Sequence, residues 1–327
     1  MEAQGGYDIS FQVQLPDEWD TSLARINIGV TALIETDKCN TSWYTKLDQM
    51  DHIIVPSNFT KNVIMNTFGK RFDTKVSVIP EWFNDNLQKG ANLKGVSDDR
   101  YRFSTKFNLM SIGTITAGES HVDRKNLASS IAAAIETFEG QEDVGIILKV
   151  SCGKGSKSDR VKCVNALKMI TEKYRKSQFP KIHLVHGNMS SKQIATLYKT
   201  NSVKGYFSAT RGEGYGLPLV DAAAAGIPVV ATDWSGHLDF LGDDFLKVEY
   251  KLKPIPPERV DGRIFVEGTS WAEPDMTSFK DQLRDLKLNY EKHVEKSRTL
   301  RKKTLNRFSK QKICKKYDKF LKERFEL

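Results

Sequence analysis

Residues 204–233, KGYFSATRGEGYGLPLVDAAAAGIPVVATD, decide how this chain reads. Residues 204–210 and 227–233 have the unbroken apolar, β-branched and aromatic character of strands buried on both faces. Between them stand a glycine-rich turn, made by Gly212, Glu213, Gly214, Tyr215 and Gly216, and a small-residue helix over 217–225. Two buried strands joined by a helix make a parallel pair with a right-handed crossover. Working outward, strands are predicted at 107–113, 144–150 and 181–187, with helices at 125–138, 159–174 and 191–198. Strict alternation of this kind means a Rossmann-like domain.

The first hundred residues repeat the theme more weakly. Residues 9–15, 26–35, 52–57 and 75–81 read as strands, and 43–50 and 60–68 as helices. The polar, Gly/Asn/Asp-rich stretch 84–101 suits a linker. The expected organisation is a lobe over 1–100, a second lobe over 101–280 and a basic helical segment over 281–327. Leu305, Phe308, Tyr317, Phe320, Leu321 and Phe325 fall near three-to-four spacing, which predicts a final amphipathic helix.

The 327 residues are 39% hydrophobic and 28% charged, which excludes a disordered tail or a fibre. Lys and Arg number 50 against 41 Asp and Glu, and residues 281–327 hold 16 of the basic and 7 of the acidic ones. The preceding 280 residues are therefore neutral, and the net +9 belongs to the C-terminal segment. Its basic face is either merely solvated or a surface for a polyanion. Cys39, Cys152, Cys163 and Cys314 have no CxxC spacing, which argues against a structural zinc site and a disulfide framework. A reducing, cytoplasmic setting is expected, since no signal peptide or run of about 18 apolar residues is visible.

The turn at 212–216 has a chemistry of its own. Backbone N–H groups at a helix start bind anions, and glycine lets a phosphate or sugar come close. Glu213 and Asp221, eight apart, put one carboxylate in the turn and one about a turn into the helix.

This segment resembles the E-x7-E signature of retaining glycosyltransferases of the GT-B fold, family-four type, with Asp221 in place of the second Glu. VDRKNLASSIAAAIETF (122–138) is similar to the basic loop and helix of that family, and IHLVHGNMSSKQIATLY (182–198) to its nucleotide-base region. NIGVTALIETDKC, MDHIIVPSNFTKNVI and VSVIPEWF resemble its N-terminal strands. The resemblance runs from about residue 8 to 327 and extends to phage-encoded members. It implies an α/β fold of two Rossmann-like lobes facing a cleft, the N-terminal one shortened, with a C-terminal helix crossing back.

It also implies roles. Lys125 would grip the donor phosphate, helped by Arg124 or Arg211, and Glu213 would meet the donor sugar. Asp221 would hold the ribose, while Gly214, Tyr215, Gly216 and Leu217 would offer backbone N–H groups. Gly113 precedes Thr114 where the family usually has an Arg. His186 and Gly187 stand where the base is received, although a histidine there is as readily a satisfied loop residue. Glu35 and His237 fall on the acceptor side, and His237 also near the donor phosphates. The implied co-substrate is a UDP- or GDP-sugar, with no other cofactor and no metal. The acceptor expectation is a hydroxymethylpyrimidine base in phage DNA, reached through the basic segment. The rivals are a polysaccharide, lipid or protein acceptor, with peripheral membrane contact, and a nucleotide-sugar epimerase of the same fold.

Overall fold

The computed structural model describes residues 6–89, 101–115, 120–153 and 155–325. Of the linker expected over 84–101, residues 90–100 lie outside these residues; Leu87, within its first part, is buried.

The N-terminal lobe runs β1 (Tyr7–Val13), β2 (Ala24–Val30), α1 (Tyr44–Gln49), β3 (His52–Val55), α2 (Asn58–Phe68) and β4 (Val76–Val78). Its four strands form one parallel sheet in the order β1-β2-β3-β4. The strand expected over 26–35 ends at Val30, because Leu33 turns at φ 55°. That turn carries Glu35 out of the sheet toward the other lobe.

The second lobe runs β5 (Phe107–Thr114), α3 (Leu127–Thr137), β6 (Val144–Ser151), α4 (Lys157–Tyr174), β7 (Lys181–Val185), α5 (Ser191–Tyr198), β8 (Val203–Ser208), α6 (Leu217–Ala225), β9 (Val229–Thr232), α7 (Leu238–Leu241) and β10 (Leu246–Val248). All six strands are parallel, in the order β10-β9-β8-β5-β6-β7. The order reverses between β5 and β8. In open α/β sheets the crevice at such a point, beyond the strands' carboxyl ends, is where ligands bind.

Local chemistry explains the helix ends. Ser156 caps α4 by accepting the Asp159 N–H, Ser190 and Gln193 form a capping box on α5, and Gly226 ends α6 in the left-handed region. The central strands of the second lobe are buried on both faces, between α3, α4 and a C-terminal helix on one side and the α5–α6 layer on the other, while the edge strand β7 is half-buried.

Two features differ from expectation. A hairpin, β11 (Tyr250–Pro254) with β12 (Ser270–Pro274), follows β10. Its loop packs on the N-terminal lobe: Trp271 and Phe265 join Trp19, Trp43 and Phe72 in one core, and Arg263 pairs with Asp17 at 2.6 Å and Glu18 at 2.5 Å. The single final helix is three: α8 (Met276–Leu288), α9 (Tyr290–Arg307) and α10 (Lys310–Phe325). The path breaks at Phe308, whose buried ring is held against Phe240 and whose carbonyl accepts the Phe83 N–H.

That break sends the chain back. α9 packs on α6, while α10 lies on the first lobe, with Tyr317 against Phe11, Phe320 against His52 and Arg324 donating to the Thr74 carbonyl. Among the described residues no helix is long and apolar enough to cross a membrane.

Candidate functional site

The reversal in strand order brings the end of β5, the start of α3 and the turn after β8 together. Asp123 builds the α3 start: one carboxylate oxygen accepts the Lys125 N–H at 3.0 Å and the other the Leu127 N–H at 2.9 Å. Asn126 takes the left-handed conformation between them. This geometry points Lys125 at the turn, where its ammonium lies 2.6 and 2.7 Å from the two oxygens of Glu213.

Arg124 extends the cluster across the lobes. Its guanidinium is 3.5 Å from Glu213, 3.2 Å from Glu35 of the first lobe, and donates to the Gly212 carbonyl. Burial pushes the Glu213 carboxyl up, but Lys125 and Arg124 outweigh it and hold it below its ordinary value. Burial dominates at Glu35, which stays above the usual carboxylate range despite Arg124. Two cations and two carboxylates thus meet at the junction, with Lys125 the more open of the cations at 31% side-chain exposure against 20%.

The glycines of the turn have a different origin from the one expected. A Cβ on Gly212 would overlap the Glu35 backbone, and one on Gly214 would come 2.8 Å from the Ala32 carbonyl oxygen. They are small because the other lobe is against them. Ser57 donates to the Gly214 carbonyl at 2.6 Å and Thr60 at 3.2 Å, while Gly236 donates to that of Glu213 at 2.9 Å. Gly216, at φ 99°, is required by conformation at the entry to α6.

Asp221 lies on another wall. One oxygen accepts the Asn84 N–H at 2.8 Å, and the residue lines a cavity of about 420 Å³ with Trp82, Met189, Ile194 and Leu217. Burial pushes its carboxyl up to about 6. Leu217 is half-exposed into this space, while Tyr215 is buried with its hydroxyl donating to the Glu81 carbonyl. Gly113 and Lys125 share a water-sized space with Ser111 and Ser208, and Thr114 is exposed at the end of β5.

Three of the candidate side chains are engaged by protein partners. Arg211 faces away from the cleft: it is 3% exposed, grips Glu273 with two hydrogen bonds of 2.8 and 2.9 Å, and donates to the Ser120 and Asp123 carbonyls. It positions the loop that presents Lys125. His237 is fully buried, its Nε2 2.7 Å from the Thr232 carbonyl, so it braces the loop beneath Glu213. His186 places Nε2 2.7 Å from Asp159, and it lines a separate pocket with His183 and Phe103. Gly187, at φ 96°, makes the turn after it.

Sequence reasoning missed Ser57, Ser235 and Asp123. Ser235, at φ 93°, accepts the Glu213 N–H at 3.0 Å. The S-x-x-T pattern of 57–60 was legible as a helix cap, but its hold on Gly214 was not.

With the geometry in view, the likenesses are informative. Residues 150–254, about a third of the chain, match the family Glycosyl transferases group 1. Solved structures similar to the chain include the pneumococcal O-GlcNAc transferase GtfA in complex with UDP and GlcNAc, at 16% identity and TM-score 0.54 over 91% of this chain and 52% of that one. The sucrose-phosphate synthase of Thermosynechococcus elongatus aligns at 14% identity, TM-score 0.62, over 92% and 68%. An E. coli trehalose-6-phosphate protein bound with UDP-2-fluoro glucose aligns at 11%, TM-score 0.62, over 99% and 74%. The fold is GT-B. This GT-B chain spans about half the length of the pneumococcal enzyme. No curated protein sequence matches it.

Proposed function

We propose that the chain is a retaining, metal-independent glycosyltransferase that moves a sugar from a nucleotide-sugar to a hydroxyl acceptor. The observation that carries this is the cluster in which Lys125 and Arg124 meet Glu213, the last of these on the segment that matches glycosyl transferases group 1. The leaving diphosphate gains negative charge as the glycosidic bond breaks, and cations with the amide end of a helix meet that need. In this reading Lys125 trades part of its contact with Glu213 for the phosphate, and Glu213 then accepts from sugar hydroxyls. Asp221 holds the ribose beside Leu217, and Arg124 ties the lobes through Glu35. A UDP-sugar is the preferred donor, since two similar structures hold UDP or a UDP-sugar analogue.

For the acceptor we favour a polyanion, DNA carrying hydroxymethylpyrimidine bases. Lys312, Lys315, Lys316, Lys319 and Lys322 are exposed on α10 at offsets of three, four, seven and ten, which makes one cationic stripe. Incubation of the protein with UDP- and GDP-sugars and hydroxymethylated duplex DNA, read by mass spectrometry, tests both halves. A hexose or pentose mass on the base is expected. Donor turnover that survives both Lys125→Ala and Glu213→Ala would remove the site, while DNA binding that is undetectable even at low salt would leave a polysaccharide, lipid or protein acceptor.

A further inference from the structure

Two cysteines that look unrelated in sequence meet beside a buried carboxylate. Cys152 follows β6 and Cys163 lies in α4, and their sulfurs are 3.3 Å apart. Asp159 precedes Cys163 by four residues, so both share one face of α4. One Asp159 oxygen accepts the Cys152 N–H at 3.0 Å, and the other is 2.7 Å from Nε2 of His186. One ligand atom from each of Cys152, Asp159 and Cys163 lies within 4.8 Å of the others.

We propose that Cys152, Cys163 and Asp159 bind one borderline-soft divalent cation, zinc by their chemistry, with His186 orienting the carboxylate. Two sulfurs and one oxygen suit zinc over magnesium or calcium, which take oxygen ligands. Zn–S bonds of about 2.3 Å in a tetrahedron separate two sulfurs by roughly 3.8 Å. The pair needs to open by only about half an ångström, whereas a disulfide of about 2.0 Å demands a larger movement in the opposite direction. A carboxylate ligand is normally held by an outer hydrogen bond, and the His186 ring supplies one. Cys163 and Asp159 are buried while Cys152 is half-buried, which provides an entry side. Lys149 of β6 lies close enough to Cys163 for their charges to interact and offsets part of the negative charge of two thiolates and a carboxylate.

Such an ion ties the end of β6, the start of α4 and, through His186, the loop after β7. Its role is structural, and no step of sugar transfer passes through it. The site and the transferase reading are independent of each other.

The test uses the full chain, reduced with a non-thiol reagent, stripped by a chelator and titrated with Co²⁺ as a spectroscopic substitute for Zn²⁺. One equivalent should give the thiolate-to-cobalt charge-transfer band and the visible bands of a tetrahedral ion, both abolished by excess Zn²⁺. Cys152→Ser and Cys163→Ser should remove the charge-transfer band, His186→Gln should weaken binding about 10–100-fold, and Cys314→Ser should change nothing. Because Cys163 is buried, Cys152→Ser decides if Cys163→Ser does not fold. The proposal fails if the reduced protein shows no saturable charge-transfer band, or if the band persists in Cys152→Ser. A Cys152–Cys163 disulfide that survives isolation under reducing conditions overturns it as well.

Discussion

Glu213 and Asp221 are eight residues apart and both acidic, Glu213 buried and Asp221 half-buried on a cavity wall, and they are electrostatically opposite. Glu213 has Lys125 and Arg124 against it and is held below its ordinary value, whereas Asp221 has a single amide N–H and is pushed up to about 6. Desolvation is the largest influence on each. What separates them is the loop at 123–126, which arrives from a distant part of the chain and serves only the first. A buried charge needs partners, and only one of these carboxylates was supplied with them.

The sharpest way to break the comparison is Glu213→Gln. It leaves Lys125 without its carboxylate and Arg124 with Glu35 alone, which should cost about 2–4 kcal/mol, toward the low side of a fully buried pair because Lys125 keeps some solvent and Arg124 keeps one partner. Transfer activity should fall by about 10²–10³, the scale of losing a group that acts on developing charge. Equal stability of the variant and the parent in urea titration would mean that the cluster is not the strong ion network described here.

Asp221→Asn should act in the reverse direction on stability. A carboxyl raised from 3.8 to about 6 in the folded protein binds more protons folded than unfolded between those values, so its contribution falls as pH rises through that window. The amide escapes this cost and can still accept the Asn84 N–H. The variant should be more stable than the parent by on the order of 2–3 kcal/mol above pH 7, with the gain shrinking toward pH 4. The KM for donor should rise with little change in kcat if this carboxylate holds the ribose. Thermal unfolding from pH 4 to 8, with donor kinetics at one pH, separates the two effects. A gain that does not depend on pH would contradict the assignment.

A smaller effect is expected at the far end of the same helix. Arg301 of α9 donates to the Ala224 carbonyl at 3.0 Å, and Ser297 to that of Gly226 at 3.0 Å. A cation and donors at a helix C-terminus are favourable. Arg301→Ala should cost about 1 kcal/mol, measured as a shift in urea midpoint without change in slope. No measurable shift would mean that water replaces the guanidinium without loss. Part of the basic surplus is thus structural, while the lysines of α10 stand exposed.

Much of the second lobe could be read directly. The helices at 191–198 and 217–225 fall at the expected bounds, and the five strands expected there are present, shifted by a few residues at their ends. Their signal is local: unbroken apolar runs, capping serines and a small-residue helix are written in consecutive residues. Glu213, Lys125, Arg124 and Glu35 were also recognisable as candidates, and they meet. The hairpin at 250–274 was not visible, because its strands are half polar and are defined by packing against Trp19 and Trp43 across the molecule. Nor was the break at Phe308, which follows from a ring held by Phe240 and a carbonyl taken by Phe83.

The sequence by itself determined the alternation of strand and helix, and therefore the parallel sheets and the carboxyl-end crevice, since periodicity and chain handedness leave little freedom there. Only the tertiary structure decided which charged side chains face that crevice. Arg211 and Lys125 are both cations on loops beside the same turn. One is sealed against Glu273 and two backbone carbonyls, while the other stays open beside Glu213. Which of them is free to meet a ligand depends on partners that lie dozens of residues away, and no local pattern records that distance.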